Sequence, residues 1–411
     1  MEDDRDENGD RTGVEPGAVE YEPVGVKHLL SEMKDTAELL IDLSYSSVLF
    51  GSQSVAQEVL TLEQRMDVLQ LKARMSLLMA ARNPSDAEAL APVLGVVAAT
   101  EKISDAAGDI AKIVTEEIGL PDAVRGALPE ALETLVSIEL AENSDLVGRT
   151  LGDRNLETET GVRVIALRRQ GEWLLNPDRQ TEPKAGDVLL LRGPEEGIDT
   201  VYTEVTGREY PTPDPPKMEI EDVGRAVDSI VLMKNMSELA VDLAYGAVLF
   251  DNRAVAREVR ELEIEVDALQ SRFEAWTLRA ASRVDDTVSL RGLVHLAQSS
   301  EVISDAALEI SDGVLRGLDT HPVVTAAVEE SVEIITRLEI DPDSTLDDET
   351  LGDQLVSTKT GMRVIAVRRG TGENAEWIVS PGPDTRLKAG DVIIAKGTRA
   401  GSDRLEAMTS E

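Results

Sequence analysis

The chain has 411 residues, too many for one ordinary domain core, and 79 Asp and Glu residues against 41 Lys and Arg give it a formal net charge of −38. This charge disfavours binding to nucleic acids and to anionic membranes, and no apolar run is long enough for direct membrane insertion. Because there is no Cys and the three His residues are isolated, disulfides, zinc ribbons and thiol catalysis are excluded.

The composition also points to the salt concentration in which the protein works. Acidic residues are abundant, and aromatic residues make up only 3% of the chain. This combination is typical of cytosolic proteins from organisms that accumulate molar salt, where ions screen the repulsion between like charges. We therefore expect a halophilic, cytoplasmic protein. An acidic protein of ordinary salt tolerance is the alternative.

The chain begins with an acidic stretch and continues with a helical region. Residues 1–25 start with MEDDRDENGDRTG, the opposite of a signal peptide, and predict a disordered acidic tail. From residue 26 onward, apolar residues such as Leu29 and Met33 recur every three or four positions, which is the period of an amphipathic helix. Interruptions at Gly51 and at residues 83–85 divide the region into three helices, the size of an antiparallel bundle.

The next region, which ends at residue 206, has the pattern of a small α+β domain. Short apolar runs are separated by turn residues, and only two segments have a helical pattern. We predict strands at Ser137–Glu142, Val162–Arg168, Glu172–Leu175 and Asp187–Leu191, and helices at Leu146–Asn155 and Pro194–Val205.

Both regions occur twice, with a period of 200 residues. IDLSYSSVLF at 41–50 returns as VDLAYGAVLF at 241–250, and GVRVIALRR at 161–169 returns as GMRVIAVRR at 361–369. A linker that contains four Pro residues separates the copies and is expected to be extended. The sequence thus predicts a multidomain α and α+β protein with a tail at 1–25, a first bundle at 26–120, a first sheet module at 125–206, the linker at 207–222, a second bundle at 223–320 and a second sheet module at 323–411.

The helical region resembles a known family. LEQRMDVLQ at 62–70 and EKISDAAGDI at 101–110, with their second copies, resemble the three-helix bundle of PhoU proteins, although Lys102 and Ser104 depart from the family pattern. The resemblance implies acidic pairs on two helices that are linked with bound metal. The pairs at matching positions are Glu63/Asp67, Glu101/Asp105, Glu263/Asp267 and Glu301/Asp305.

Each of these pairs places two carboxylates on one helix face, because residues i and i+4 are neighbours there. Such oxygen clusters suit divalent cations. In a chain with 79 acidic residues, similar pairs also arise by chance, so a solvated acidic face is the alternative. Another acidic pair, Glu38 and Asp42, returns as Glu238 and Asp242, so retention between the copies is not confined to the PhoU-like pairs.

The second half of each copy resembles another family. VRVIALRR followed by KAGDVLLLRG, and MRVIAVRR followed by KAGDVIIAKG, resemble the C-terminal ligand-binding domain of the TrkA potassium-uptake regulators, the RCK-C domain. The second copy departs from the family at residues 347–349, where Asp-Asp-Glu replaces Leu-Val-Gly. TrkA-type regulators usually also carry a nucleotide-binding Rossmann half. No G-x-G-x-x-G motif occurs here, so NAD or ATP binding in the usual mode is not expected.

The sheet modules have nearly balanced charge, unlike the rest of the chain. A balanced region can bind an anionic ligand that the remaining surface repels. Strict alternation along the strand would place Arg163 and Arg169 on one face and Arg168 on the other. Ordinary salt bridges to local acids are the alternative. The candidate anion-binding residues are Arg163, Arg168, Arg169, Arg363, Arg368 and Arg369.

No catalytic constellation recurs in both copies, so we expect a protein that is not an enzyme. The RCK-C resemblance implies a ligand sensor that regulates potassium or other cation transport, in the cytoplasm or at the inner face of the cell membrane. Its partner would be a membrane transporter or channel subunit. The candidate ligands are a cyclic dinucleotide and divalent cations, and no cofactor is assigned.

Other interpretations of the sequence stay open. The two sheet modules can pair within one chain as a pseudo-dimer, or two chains can form a homodimer. The PhoU resemblance implies an alternative function, the regulation of phosphate uptake or signalling by metal-binding bundles. A scaffolding protein that binds no small ligand is the third possibility.

Overall fold

The computed structural model describes most of both copies. The predicted tail, apart from Gly25, and most of the predicted linker lie outside the described residues. No described helix is long and apolar enough to cross a bilayer. The described residues are 25–120, 134–142, 144–170, 172–175, 177, 179–208, 210, 220–284, 287–318, 321–330, 334–370, 376–379 and 381–410.

The first bundle contains the three predicted helices, and local sequence explains where they begin and end. Gly51 adopts the left-handed conformation, with a φ of 57°, and ends the first helix. Ser52 and Asn83 then accept hydrogen bonds from backbone N–H groups at the starts of the next two helices. The helices are α1 (Val26–Phe50), α2 (Gln53–Ala80) and α3 (Pro84–Thr115).

The first sheet module is a small α+β domain, as predicted, and its sheet is antiparallel. Its strands lie in the order β1-β4-β2-β3. The prediction of a single helix at Leu146–Asn155 is wrong. Thr150 caps a helix that starts only at Leu151, and Asn155, with a φ of 53°, ends it before a second short helix begins. The elements are β1 (Thr134–Glu139), α4 (Leu151–Arg154), α5 (Leu156–Thr160), β2 (Arg163–Arg169), β3 (Glu172–Leu175), β4 (Val188–Gly193) and α6 (Glu195–Thr206).

The second copy repeats this architecture. Its sheet has the same order, β5-β8-β6-β7. A short 3₁₀ helix at Thr287–Leu290 precedes the third bundle helix. The elements are α7 (Glu221–Leu249), α8 (Arg253–Ala281), α9 (Arg291–Arg316), α10 (Pro322–Glu330), β5 (Ile334–Glu339), α11 (Val356–Thr360), β6 (Met362–Arg369), β7 (Glu376–Val379), β8 (Val392–Gly397) and α12 (Arg399–Thr409).

The prediction that side chains alternate strictly between the two faces of strand β2 is wrong, because the strand contains a β-bulge. The pairing of β2 with β4 shifts between Val164 and Ala166. Val164 and Leu167 therefore both pack in the core of the sheet module, whereas Ala166 packs against the helices. Strict alternation fails at this point. Arg163 and Arg168 share the face toward the helices, and Arg169 lies on the opposite face.

The two bundles share one continuous apolar core, which also receives residues from both sheets. Two buried hydrogen bonds cross between the bundles. The Tyr45 hydroxyl lies 2.8 Å from the Ser300 hydroxyl, and the Tyr245 hydroxyl lies 3.2 Å from the Thr100 hydroxyl. Tyr245 lies 200 positions after Tyr45, and Thr100 lies 200 positions before Ser300, so exchanging the two copies converts one bond into the other. The copies therefore pack within one chain as a pseudo-symmetric pair. The homodimer stays a prediction.

Candidate functional site

A basic cleft lies where the two sheet modules meet. It has a volume of about 40 Å³ and is lined by four basic side chains. Arg163 and Arg192 come from neighbouring strands of the first module, where they face each other in register. Arg363 and Lys396 occupy the matching pair of positions in the second. We call this feature the dyad cleft, and its described lining also includes Gly161, Pro194, Ser357, Gly361, Met362 and Gly397.

Acidic residues of the long helices α1 and α7 hold these basic groups in place. Nη1 of Arg192 lies 2.7 Å from each carboxylate oxygen of Asp42. In the second copy, Nη2 of Arg363 lies 2.5 Å from Oδ2 of Asp242. These are charge-assisted bonds between partly or fully buried groups, the kind that fixes geometry most strongly. The walls of the cleft are therefore bonded directly to the helices.

Lys396 connects the second sheet module to both bundles. Its Nζ lies 2.5 Å from Oδ1 of Asp242 on α7 and 3.3 Å from Oε1 of Glu38 on α1. The Lys396 side chain is only 7% exposed, so its charge depends on these carboxylates. Movement of the second sheet at this position therefore has to move, or break away from, a helix of each bundle.

A second layer of buried charge lies deeper between α1 and α7. Lys34 pairs with Glu38 at 2.9 Å, and Lys234 pairs with Glu238 at 2.8 Å. Each lysine also approaches the tyrosine ring of the opposite copy, with Lys34 Nζ 5.3 Å from the centre of the Tyr245 ring. Burial raises the pKa of the Tyr245 hydroxyl, which stays neutral.

The dyad cleft with its acidic partners and the deeper layer between α1 and α7 together contain more basic than acidic side chains. This local excess contrasts with the net charge of −38 for the whole chain. An anionic group that enters the dyad cleft would meet preoriented guanidinium and ammonium donors. The basic side chains are Arg163, Arg192, Arg363, Lys396, Lys34 and Lys234, and the acidic ones are Asp35, Glu38, Asp42, Glu238 and Asp242.

A larger cavity of about 380 Å³ adjoins the dyad cleft and shares Arg363 and Met362 with it. Its other walls are mostly apolar, and exposed Glu196 of the first module adds one carboxylate. The apolar walls include Leu239, Leu351, Leu355, Val356, Pro381 and Pro383. Leu355 has a φ of 49°, which is strained for a Leu, and its side chain is 43% exposed. The first copy has Asn155 here, which tolerates this conformation better. The two cavities together suit a ligand with a flat or apolar part and an anionic part.

The structure separates the six predicted arginines into three groups. Arg163 and Arg363 line the dyad cleft. Arg168 and Arg368 are not among the described residues that line it. Arg169 and Arg369 each bond to an aspartate of their own module.

Arg169 and Arg369 each hold a buried aspartate. Nη2 of Arg169 lies 2.6 Å from Oδ2 of Asp187, and Nη2 of Arg369 lies 2.9 Å from Oδ2 of Asp391. Burial opposes ionisation of Asp187, but the bonds from Arg169 and from the Lys184 N–H hold its pKa below the usual range. This pair closes the turn before β4 and is a structural feature of the module.

Sequence reasoning missed two lining residues, Arg192 and Lys396. A signal was present in both copies. Each is the basic residue of an otherwise apolar strand, in KAGDVLLLRG and KAGDVIIAKG. Their partners Asp42 and Asp242 belong to the acidic pairs that return 200 residues later. A basic group buried in a strand requires an acid on the element that covers it, and the repeat displays both.

The acidic pairs form a compact cluster in the second bundle. Glu263, Asp267 and Asp305 each offer a carboxylate oxygen, and these oxygens lie within 4.8 Å of one another. Burial, and then repulsion from neighbouring carboxylates, raise the pKa values of Glu263, Asp305 and the nearby Glu301. Such a donor set of carboxylate oxygens fits a hard divalent cation.

The equivalent positions in the first bundle differ in charge. Arg74 lies 3.6 Å from Glu101, and Lys112 lowers the pKa of Glu63, although burial raises it overall. The second bundle has Glu274 and Asp312 where the first has these two bases. Arg74 and Lys112 thus already offset part of the charge of Glu63, Glu101 and Asp105. In the second bundle, Lys102 of the first bundle partly offsets the rise in the pKa of Asp305, but positions 274 and 312 carry acids, so a bound cation fits the second bundle better.

Comparison with curated proteins finds potassium channels and a transporter. The chain is 28% identical over 139 residues to the probable potassium channel protein 2 of Methanocaldococcus jannaschii, covering 32% of this chain and 39% of the relative. It is 36% identical over 80 residues to potassium channel protein 1 of the same organism, covering 20% and 22%. It is 34% identical over 73 residues to the uncharacterized transporter sll0640 of Synechocystis, covering 18% and 12%. The chain therefore spans less than half the length of these relatives.

Similar solved structures have low overall agreement. PhoU from Pseudomonas aeruginosa is 12% identical with a TM-score of 0.39, covering 71% of this chain and 96% of that one. The GsuK channel bound to NAD is 12% identical with a TM-score of 0.18, covering 78% and 66%. Scores this low carry no argument about overall shape.

The family comparison covers both halves of both copies. The PhoU domain matches residues 30–114 and 230–314. The TrkA-C domain matches residues 135–206 and 335–410. These ranges coincide with the bundles and the sheet modules of the structure. The chain therefore belongs to the PhoU and TrkA-C domain families and carries the two domains twice in tandem.

Proposed function

We propose that this protein is a non-enzymatic regulator of potassium or other cation transport that senses an anionic ligand in its sheet modules. The observation that carries the proposal is the dyad cleft with its adjoining cavity of about 380 Å³. The partial similarity to potassium channels supports potassium as the ion. A cyclic dinucleotide combines flat apolar surfaces with anionic phosphates and matches both parts of the site.

The ligand would act by changing the balance of charge in the dyad cleft. Without it, the basic side chains of the two modules repel each other and depend on helix carboxylates. An anion bound between Arg163 and Arg363 draws the modules together and competes with Asp242 for Arg363. Because Lys396 bonds to both bundles, the change reaches α1 and α7. A switch follows when the ligand prefers one of the two arrangements.

The bundles would transmit this change to a membrane transporter or channel subunit, and the protein would work in the cytoplasm or at the inner face of the membrane. The channel and transporter relatives support a membrane partner. In the second bundle, Glu263, Asp267 and Asp305 would hold a divalent cation that lowers their mutual repulsion. This cluster also favours the second candidate function, metal-dependent regulation of phosphate uptake in the manner of PhoU.

Calorimetric titration with cyclic dinucleotides tests the first function. The double variant Arg163→Gln, Arg363→Gln should weaken binding by ~1–3 kcal/mol for each charged hydrogen bond to the ligand that it removes. The double variant Arg168→Gln, Arg368→Gln removes the same charges from the same strands outside the cleft and should bind as the wild type does. Equal affinity in all three proteins would contradict the anion site. Binding of divalent cations without any anion would favour the PhoU-like function.

A further inference from the structure

Helix α2 exposes an apolar stripe on the side opposite the core. Val68 is 39% exposed, Leu71 is 43% exposed and Leu78 is 71% exposed, and half-buried Met75 lies between the last two. The steps of three, four and three residues keep these side chains on one helix face. The core face of the same helix is formed by other residues, including Met66, Ala73 and Leu77. The stripe therefore spans about three helical turns of surface.

The second copy shows that this stripe is not needed for the fold. Helix α8 occupies the same place in the second bundle and packs through the same kind of buried face. At the positions that match Val68, Leu71 and Met75 it carries Ala268, Ser271 and Ala275, and only Leu78 is retained, as Leu278. One bundle thus folds with small or polar side chains at three positions where the other exposes large apolar ones. A contiguous exposed apolar surface of this kind is typical of a binding site.

The charge around the stripe is also distinctive. Residues 68–85 contain no Asp or Glu, although the chain has 79 acidic residues. They contain Lys72, Arg74 and Arg82. The Arg74 side chain is 44% exposed and lies 3.6 Å from Glu101, and exposed Asp67 directly precedes the segment. The matching segment 268–285 contains both Glu274 and Asp285. From Leu71 onward the stripe is thus bordered by basic residues in a strongly acidic protein, whereas Asp67 borders the end at Val68.

We propose that this stripe binds an amphipathic helix of a partner protein, with apolar residues at three- and four-residue spacing flanked by Asp or Glu. Steps of three and four residues form the seam by which two helices pack side by side. The basic border selects an acidic partner. A second copy of the chain would bring two basic borders together. An extended anionic membrane would meet the net charge of −38 of the whole chain, whereas a single helix meets only the basic residues beside the stripe. This inference stands apart from the ligand cleft, so each can fail alone.

The test uses the full chain and two synthetic helical peptides with the same Leu positions. One peptide has Glu beside the Leu seam and the other has Lys. At KCl concentrations where circular dichroism shows a folded chain, fluorescence anisotropy should show that the acidic peptide binds at least ~10-fold more tightly, with affinity that falls as salt rises further. The triple variant Val68→Ala, Leu71→Ser, Met75→Ala takes the residues that the second copy tolerates and should lose at least ~10-fold in affinity. Leu278→Ser, which changes the other bundle, should bind as the wild type does.

Circular dichroism and thermal unfolding of each variant verify that it is folded. Three outcomes would overturn the proposal. Both peptides could bind equally, or the triple variant could bind the acidic peptide as the wild type does. Alternatively, the triple substitution could abolish a dimer in sedimentation, or binding to phosphatidylglycerol vesicles, while peptide affinity is unchanged. The last result would assign the stripe to a second copy or to a membrane.

Discussion

The bond between Lys396 and Glu38 directly connects the second sheet module to the first bundle. Substituting these two residues therefore tests most directly whether the module and the bundle are coupled. The two residues are separated by 358 positions in the sequence, and both side chains are nearly buried. Lys396→Met keeps the volume of the side chain but removes its charge. Asp242 keeps Arg363 and Glu38 keeps Lys34 as a partner, so neither acid is left alone.

The expected loss of stability follows from this geometry. Removing one member of a buried ion pair costs about 3–5 kcal/mol when the other is left unpaired. Because both acids retain a basic partner, we expect about 2–3 kcal/mol for Lys396→Met. Glu38→Gln also weakens its bond to Lys34, so the single variants do not isolate the contact of interest.

A double-mutant cycle isolates the interaction energy between Lys396 and Glu38. Unfolding by urea of the wild type, Lys396→Met, Glu38→Gln and the double variant gives the interaction energy of the pair. We expect about 1–2 kcal/mol, as for a charged hydrogen bond at 3.3 Å in a mostly buried site. The matched cycle of Lys396 with Glu238, which bonds to Lys234 instead, should give less than about 0.5 kcal/mol. Equal values in both cycles would refute the direct connection between the second sheet module and α1.

Three further predictions address other features of the protein. Asp187→Asn should destabilise the first sheet module by about 2 kcal/mol in thermal unfolding. Because folding lowers the pKa of Asp187, this loss of stability should be complete above about pH 4 and should vanish as the pH falls through the pKa of the folded state. Mn²⁺ should raise the melting temperature of the wild type but not of Asp267→Asn, Asp305→Asn, and an equal rise in both would remove the cluster as a cation site. Far-UV circular dichroism should show loss of structure when KCl is lowered from molar to tens of millimolar concentration, and an unchanged spectrum would contradict the halophilic interpretation.

Most of the fold could be predicted because local signals and the repeat agree. Gly51, Ser52 and Asn83 mark helix ends by their backbone and capping chemistry, and these signals do not depend on tertiary contacts. The ends of the strands shifted by a few residues, since pairing with neighbouring strands decides where a strand stops. The β-bulge at Val164 could not be predicted, because a bulge depends on how the partner strand is held.

The candidate site could be predicted only in part, and the reason is physical. Arg163 was recognisable as a basic residue on a repeated strand. The site also requires Lys396, whose partner Glu38 lies at the other end of the sequence. Only the packing of the two bundles against each other brings these residues together. Sequence alternation also cannot tell Arg169, which holds a buried aspartate, from Arg163, which lines the cleft.

The two copies share one fold, but their side chains have diverged, so that each copy carries features that the other lacks. Strained Leu355, which lines the larger cavity, and the compact carboxylate cluster around Asp305 belong to the second copy. The exposed apolar stripe at Leu71 belongs to the first. Identical copies in a homodimer would have to carry every feature twice. Fusion into one chain removes that constraint, so each copy can carry surfaces that the other lacks. Lys396 replaces Arg192 of the first copy and bonds to both bundles, so the proposed coupling between the dyad cleft and the bundles is tested most directly at this residue.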